Sequence, residues 1–310
     1  MDFITASRIR EEGRWYFLTI TTSTQALQLK DVSVYMTGQA DDMADSEAEH
    51  VQLLSSITLE IEPGQWIQLV GPNGSGKSTL GMLLAGHADR IAQGNAAAEG
   101  MMNRGFAGNV PLPIVTQDPE ASIVGQTPWE DLILLLEQQG MEPDAVFNAA
   151  EASLKRCRLW ELRDRKVDTI SGGQKQLLAA AGCLACGVPL LLFDEADTML
   201  DASSRAAVHA AARELWQSGM TVLWISHRLD GLKHTDRIIG MDNGRIVYDG
   251  SVEAFYLPGP DEAVSPCAQL GYEPPYSVQT ALELAGLGFQ LTPLPLSPDM
   301  LEEAVKRLGG

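Results

Sequence analysis

Nine residues, Gly71-Pro-Asn-Gly-Ser-Gly-Lys-Ser-Thr79, constrain this chain more than any other feature. They fit the pattern G-x-x-x-x-G-K-[ST] in full, directly after the apolar run 66–70 and before an apolar helical pattern that starts near Ser78. A strand, a glycine loop and a helix in that order make a phosphate cradle. The glycines let backbone N–H groups turn inward around phosphate oxygens, and the N-terminal end of the helix dipole favours the anion. Gly71, Pro72, Asn73, Gly74, Ser75 and Gly76 are therefore expected to line the phosphates. Lys77 is expected to reach the β- and γ-phosphates, Ser78 to ligate Mg²⁺, and Thr79 to donate to a phosphate.

The rest of the chain follows an α/β grammar. Apolar runs at 188–193 and 221–225 lie about one helix apart, as in a parallel sheet with crossover helices. Upstream, residues 27–35 read as a strand, and 57–62 alternate apolar and polar before a Pro63-Gly64 turn, which suggests half-buried antiparallel strands. The acidic stretch 38–50 between them reads as a solvated loop. Asp242-Asn243-Gly244 separates two short apolar runs, and Asn-Gly suits the positive φ angles of a tight hairpin. The run 177–193 lacks charge over nearly a membrane-spanning length, but Gly187-Val188-Pro189 breaks it. It reads as a buried helix followed by a buried strand. Residues 1–25 are an extension whose Trp15-Tyr16-Phe17 patch fits either an added strand or a disordered lead.

Beyond residue 257 the composition turns Pro- and Gly-rich around two helical patterns, which marks a small C-terminal module at 258–310. Ser297 and Pro298 start its second helix, acids at Asp299, Glu302 and Glu303 favour the positive end, and Lys306 with Arg307 favours the negative end. Val278, Ala281, Leu282 and Ala285 share one face of the first helix, as do Leu301, Val305 and Leu308 of the second. Mutual packing and docking of a partner chain both fit these stripes.

Asp194-Glu195 closes the apolar run 188–193, so a buried strand delivers two carboxylates to one place. Asp194 is expected to hold Mg²⁺ through water, and Glu195 to act as general base on the attacking water. Ser171-Gly172-Gly173-Gln174 before a helical stretch is a second phosphate cradle, too remote in sequence to continue the first. This motif resembles the signature of ATP-binding cassette (ABC) ATPases. The resemblance implies ATP as the bound nucleotide and two composite sites across a dimer, each pairing the Walker motifs of one chain with the signature of the other. It also implies roles for Gln117 as the Q-loop glutamine on Mg²⁺ and water, for His227 as the switch histidine on the γ-phosphate, and for Asp201 as the D-loop aspartate at the dimer interface. Tyr35 and Met36 are the alternatives for the residue stacked on adenine.

Finer details, SGGQKQ continuing to AAAG, FDEADTMLD, Gln117-Asp-Pro-Glu and Pro274-Pro275-Tyr276, resemble the ATPase subunits of energy-coupling factor (ECF) transporters. The implied fold is a P-loop cassette at 26–257, with a mixed sheet core, an antiparallel β subdomain and a helical subdomain at about 118–170, followed by the mostly helical C-terminal domain. The implied function is powering import of micronutrients, vitamins or transition-metal ions, by ATP-driven closure of a dimer. The implied partners are a second cassette, identical or related, a membrane coupling subunit and, indirectly, a substrate-binding membrane protein. The place implied is the cytoplasmic face of the membrane, held peripherally. The readings that remain open are a cassette of another transporter class and a non-transport cassette.

Charge and cysteines narrow the field. Lys plus Arg total 22 against 41 Asp plus Glu, a formal charge of −19 that repels nucleic acid phosphates. Four cysteines without an extracellular pattern suggest free thiols, and the Cys183-x-x-Cys186 pair lacks the second pair that a zinc site needs. The charged N-terminus lacks the apolar core of an export signal.

Overall fold

The computed structural model describes residues 5–11, 14–21, 26–36, 51–94, 96–260 and 263–308. The chain divides into two compact units, Met1–Gln65 with Ser78–Ser226, and Trp66–Lys77 with His227–Gly310. The second unit takes in both sides of the boundary at residue 257 that composition marks. The acidic stretch 38–50 lies outside the described residues.

In the first unit, β1 (Thr5–Glu11), β2 (Arg14–Thr21), β3 (Leu27–Met36), β4 (Val51–Ile61) and β6 (Ala96–Asn103) form a five-stranded sheet in the order β1-β2-β6-β3-β4. The aromatic patch at 15–17 thus falls in a strand. β3 and β4 pair antiparallel, and along β4 buried Ile57, Leu59 and Ile61 alternate with exposed Thr58 and Glu60, the half-buried pattern expected of that segment. Gly64 ends β4 at φ 77°, where its N–H donates to Thr221 Oγ1 (2.9 Å) and its carbonyl accepts from Trp216 Nε1 (2.8 Å).

The same unit holds three parallel strands, β7 (Ile114–Thr116), β8 (Leu190–Asp194) and β9 (Thr221–Ile225), with β8 in the middle. β9 is buried throughout and β8 up to Phe193, which explains their continuous apolar runs. Helix α1 (Lys77–Ala85) lies close over them, because a Cβ on Gly81 would stand 2.9 Å from Ile225 Cδ1. Helices α2 (Pro128–Gln138), α3 (Pro143–Arg156) and α4 (Gly172–Ala185) pack on one another, and α5 (Ala202–Gln217) crosses from β8 to β9. The uncharged run resolves into α4 and β8, separated at Gly187 (φ 69°). Among the described residues, no helix is long and apolar enough to cross a membrane.

All four thiols are free, with Cys157, Cys183 and Cys267 buried and Cys186 half-buried. Burial pushes the Cys157 and Cys267 thiols up to about 12 and raises Cys183 and Cys186 as well. These are core residues, inert as thiolates near neutrality.

In the second unit β5 (Trp66–Val70) pairs parallel with β10 (Arg237–Asp242), which pairs antiparallel with β11 (Arg245–Ser251). Asn243 (φ 45°) and Gly244 (φ 74°) make the hairpin turn. Helices α6 (Val252–Tyr256), α7 (Pro266–Gln269), α8 (Tyr276–Gly286) and α9 (Pro298–Leu308) follow. Ser297 Oγ accepts from the Met300 N–H (3.3 Å), the expected cap of α9. Val278 and Ala281 are buried in one cluster with Val70, Ile238 and Phe255, and Leu282 and Leu301 pack against it. The C-terminal helices thus share the core of these strands, while Ala285, Val305 and Leu308 stay exposed.

Candidate functional site

The glycine loop is shaped by backbone angles that a side chain resists. Gly71, Gly74 and Gly76 stand at φ 153°, 77° and 97°, and a Cβ on Gly71 would fall 2.2 Å from the Met241 carbonyl oxygen. The loop is braced from within its own unit. Ser75 N–H donates to Pro72 O (3.2 Å), and the hairpin glycine Gly244 donates its N–H to Ser75 O (3.0 Å). Lys77 is buried at 5% exposure, and its ammonium donates to Gly71 O (2.8 Å) and Pro72 O (2.9 Å). The ammonium is thereby held at the mouth of the loop it is expected to serve. Pro72, Asn73 and Gly74 are exposed, Ser75 is buried, and Gly76 and Thr79 are half-buried.

In the other unit the carboxyl ends of the parallel strands gather the acidic and amide residues. Thr116, Asp194 and Ile225 are in register at the ends of β7, β8 and β9. The residues that follow them in the chain are Gln117, Glu195 and Ser226, so three loops start from one edge, where α/β sheets bind ligands. Ser78 Oγ donates to Asp194 Oδ1 at 3.1 Å. A hydroxyl and a carboxylate so placed form a small oxygen donor set, the kind that suits Mg²⁺ when phosphates and water complete the shell. Glu195 is half-buried and takes φ 52°, a left-handed angle that is strained for glutamate and frequent at functional positions. Its N–H is fixed on Ile225 O (3.0 Å). The next unit opens with His227, half-buried, directly after Ser226 in the chain.

Gln117 is half-buried, and the loop beyond it is built tightly. Asp118 Oδ1 accepts from the Glu120 N–H (3.1 Å), and Thr116 Oγ1 donates to Asp118 O (3.1 Å). Two side chains of α4 reach this loop. Gln176, 1% exposed, donates its amide to Thr116 O (3.0 Å) and Gln117 O (3.3 Å), and Lys175 forms an ion pair with Glu120.

The signature residues form a separate locus. Ser171 caps α4 through a reciprocal pair, its Oγ accepting from Gln174 N–H (3.3 Å) and Gln174 Oε1 accepting from Ser171 N–H (2.9 Å). Ser171 and Gly172 are exposed, so this helix N-terminus is presented outward. Gly173 abuts α5, where a Cβ would stand 2.7 Å from Ser204 Cβ. Asp201 caps α5, accepting from the Ser203 and Ser204 N–H groups (2.9 and 3.0 Å) and the Ser204 hydroxyl (2.7 Å). These bonds, led by that from Ser204 N–H, hold its carboxyl below the usual carboxylate range. Tyr35 and Met36 end β3, both half-buried, with Tyr35 Oη at 3.5 Å from Gln52 Nε2.

Three contributors escape sequence reasoning. Asp197, 4% exposed, accepts from the Ser226 hydroxyl at 3.2 and 3.3 Å, which braces the end of β9. Gln176 could be flagged as an amide in an otherwise small and apolar helix. Tyr272, whose hydroxyl meets Gly71, carries no sequence signal at all.

A family model described as ABC transporter matches residues 54–198. The energy-coupling factor transporter ATP-binding protein EcfA of Methanosarcina acetivorans is 34% identical over 262 residues, covering 82% of this chain and 92% of that protein. The EcfA1 protein of Halalkalibacterium halodurans is 31% identical over 264 residues, covering 84% and 92%. Among solved structures, CbiO1 of Clostridium perfringens, part of the ABC transporter complex CbiONQ, has the same fold. It superimposes with a TM-score of 0.59 at 20% identity, over 73% of this chain and 88% of that one.

Proposed function

The chain belongs to the ATP-binding cassette ATPases of energy-coupling factor transporters, and from this premise we propose how its residues handle the nucleotide and what they drive. It is an ATPase whose hydrolysis of ATP is coupled to transport, and it works with membrane subunits.

In the proposed mechanism the loop Gly71–Gly76 wraps the phosphates, Lys77 turns its ammonium from the loop carbonyls to the β- and γ-phosphates, and Thr79 donates a further hydrogen bond. Ser78 and Asp194 hold Mg²⁺, with Gln117 as a further ligand. Bound there, the ion neutralises charge that develops on the phosphate oxygens. Glu195 takes the proton of the attacking water, and His227 contacts the γ-phosphate. The signature Ser171, Gly172, Gly173 and Gln174, with Ser171 and Gly172 exposed, closes on the ATP of a partner cassette, with Asp201 at the interface. Tyr35 or Met36 stacks on adenine. The observation that carries this reading is the 3.1 Å bond from Ser78 to Asp194, which supplies the hard oxygen donors that a Mg-nucleotide requires.

The pair of cassettes sits at the cytoplasmic face of the membrane beneath a coupling subunit. Closure on ATP and reopening after hydrolysis shift that subunit between states, which drives import of a vitamin or a transition-metal ion bound by a third, membrane-embedded protein. In this reading residues 26–257 are the cassette, with its helical subdomain at about 118–170, and 258–310 the C-terminal domain. Co-purification from membranes with mass spectrometry tests the assembly. Recovery of a second cassette and a membrane coupling protein is expected, and recovery of ribosomal proteins instead would contradict it.

A further inference from the structure

The C-terminal segment meets the glycine loop at Tyr272. Ser265 Oγ caps α7 by accepting from Ala268 N–H (3.3 Å), and Gly271 (φ 78°) ends it with its N–H on Ala268 O (3.0 Å). The Tyr272 N–H then closes on Cys267 O (3.0 Å), and the Cys267 side chain is fully buried. The short helix therefore fixes the backbone at Tyr272. The Tyr272 hydroxyl accepts from Gly71 N–H (3.0 Å) and donates to Gly71 O (2.8 Å), which satisfies both polar groups of the residue that opens the loop.

The same Gly71 carbonyl accepts from the Lys77 ammonium at 2.8 Å. Tyr272 and Lys77 thus share one acceptor, and this has a consequence for binding. When the ammonium turns to a phosphate, a carbonyl held by lysine alone loses its donor, and an unpaired carbonyl opposes the movement. With the Tyr272 hydroxyl in place the carbonyl stays paired and Gly71 keeps its angle. We infer that Tyr272 is a positioning residue of the nucleotide site, which holds Gly71 so that Lys77 can turn from the loop to the phosphates. The inference rests on Gly71–Thr79 being the phosphate cradle. It ties residues beyond the cassette proper to nucleotide affinity.

The test is steady-state ATP hydrolysis by Tyr272→Phe, which keeps the ring and removes the hydroxyl, with Lys77→Ala in parallel. KM for ATP is expected to rise roughly 3- to 10-fold, the size of about one lost hydrogen bond, with kcat within about twofold of the parent. Amide exchange at Gly71 should quicken in the same variant, with a modest fall in Tm as the Gly71 N–H loses its partner. A merely structural role would lower Tm and leave KM unchanged, and that result overturns the proposal. If Lys77→Ala is impaired while Tyr272→Phe keeps the parental KM and Gly71 exchange, the proposal alone fails. If Lys77→Ala binds ATP as the parent does, the cradle reading fails and the proposal falls with it.

Discussion

Ser78 Oγ donates to the Asp194 carboxylate at 3.1 Å, joining the first turn of α1 to the end of β8 across 116 positions of sequence. The two residues that sequence assigns to one metal ion therefore stand side by side in the fold. If they share Mg²⁺, removing either must raise the Mg²⁺ that hydrolysis requires. Asp194→Asn is expected to raise the half-saturating Mg²⁺ concentration by about 10- to 100-fold, the range for losing a group that orients a metal's surroundings. Ser78→Ala should shift it in the same direction. ATPase rates measured across a Mg²⁺ titration check both.

Gln176 is placed to hold the loop after β7 on α4. Replacing it with Leu removes the donor to the Thr116 and Gln117 carbonyls inside a buried site. The carbonyls are left unpaired, so stability should fall by about 1–3 kcal/mol. Urea unfolding of Gln176→Leu beside the parent measures it.

Gly71 and Gly74 separate strain from clash. Both have positive φ, but a Cβ at Gly71 meets the Met241 carbonyl at 2.2 Å and one at Gly74 meets nothing within 4 Å. Gly74→Ala should cost only the left-handed backbone penalty of about 1–2 kcal/mol. Gly71→Ala must also displace backbone, and is expected to lose more stability and most nucleotide binding. Thermal melts with and without ATP discriminate the pair.

Asp131 predicts a pH effect. Its carboxylate accepts from Val124 N–H (2.8 Å) and Gly125 N–H (2.9 Å), but burial raises its pKa despite those bonds. A raised folded pKa means that its contribution is fully present below the unfolded value of about 4 and is lost as pH climbs through the folded pKa. Asp131→Asn keeps an acceptor oxygen and removes the charge. The variant should therefore gain stability relative to the parent as pH rises through that window, a difference that chemical unfolding at several pH values reads directly.

The order of elements around the phosphate loop was legible because each step has local chemistry. Glycines mark the loop, Asn243-Gly244 the hairpin, and uninterrupted apolar runs the parallel strands. The breaks at Gly187 and Pro189 identify a helix and a strand where hydropathy alone suggests a membrane span. The position of Asp194 and Glu195 at the end of a buried strand was legible for the same reason. What sequence withheld are contacts between distant segments. Tyr272 lies 201 positions from Gly71, and nothing near it in sequence announces a hydroxyl aimed at a loop. Gln176 and Asp197 look like ordinary polar residues until burial shows what they hold. The C-terminal stripes remained ambiguous because a helix face does not name its partner, and the fold packs their inner parts on the core of β5 and β10.

We propose Glu195, strained at φ 52° behind a buried strand, as the general base of ATP hydrolysis. The most direct test is single-site replacement by Gln, which removes the base and keeps the size, with ATP turnover and ATP affinity measured on the same preparation. kcat is expected to fall by about 100-fold or more while the Kd for ATP stays within about twofold of the parent. Hydrolysis by Glu195→Gln at the parental rate would contradict it.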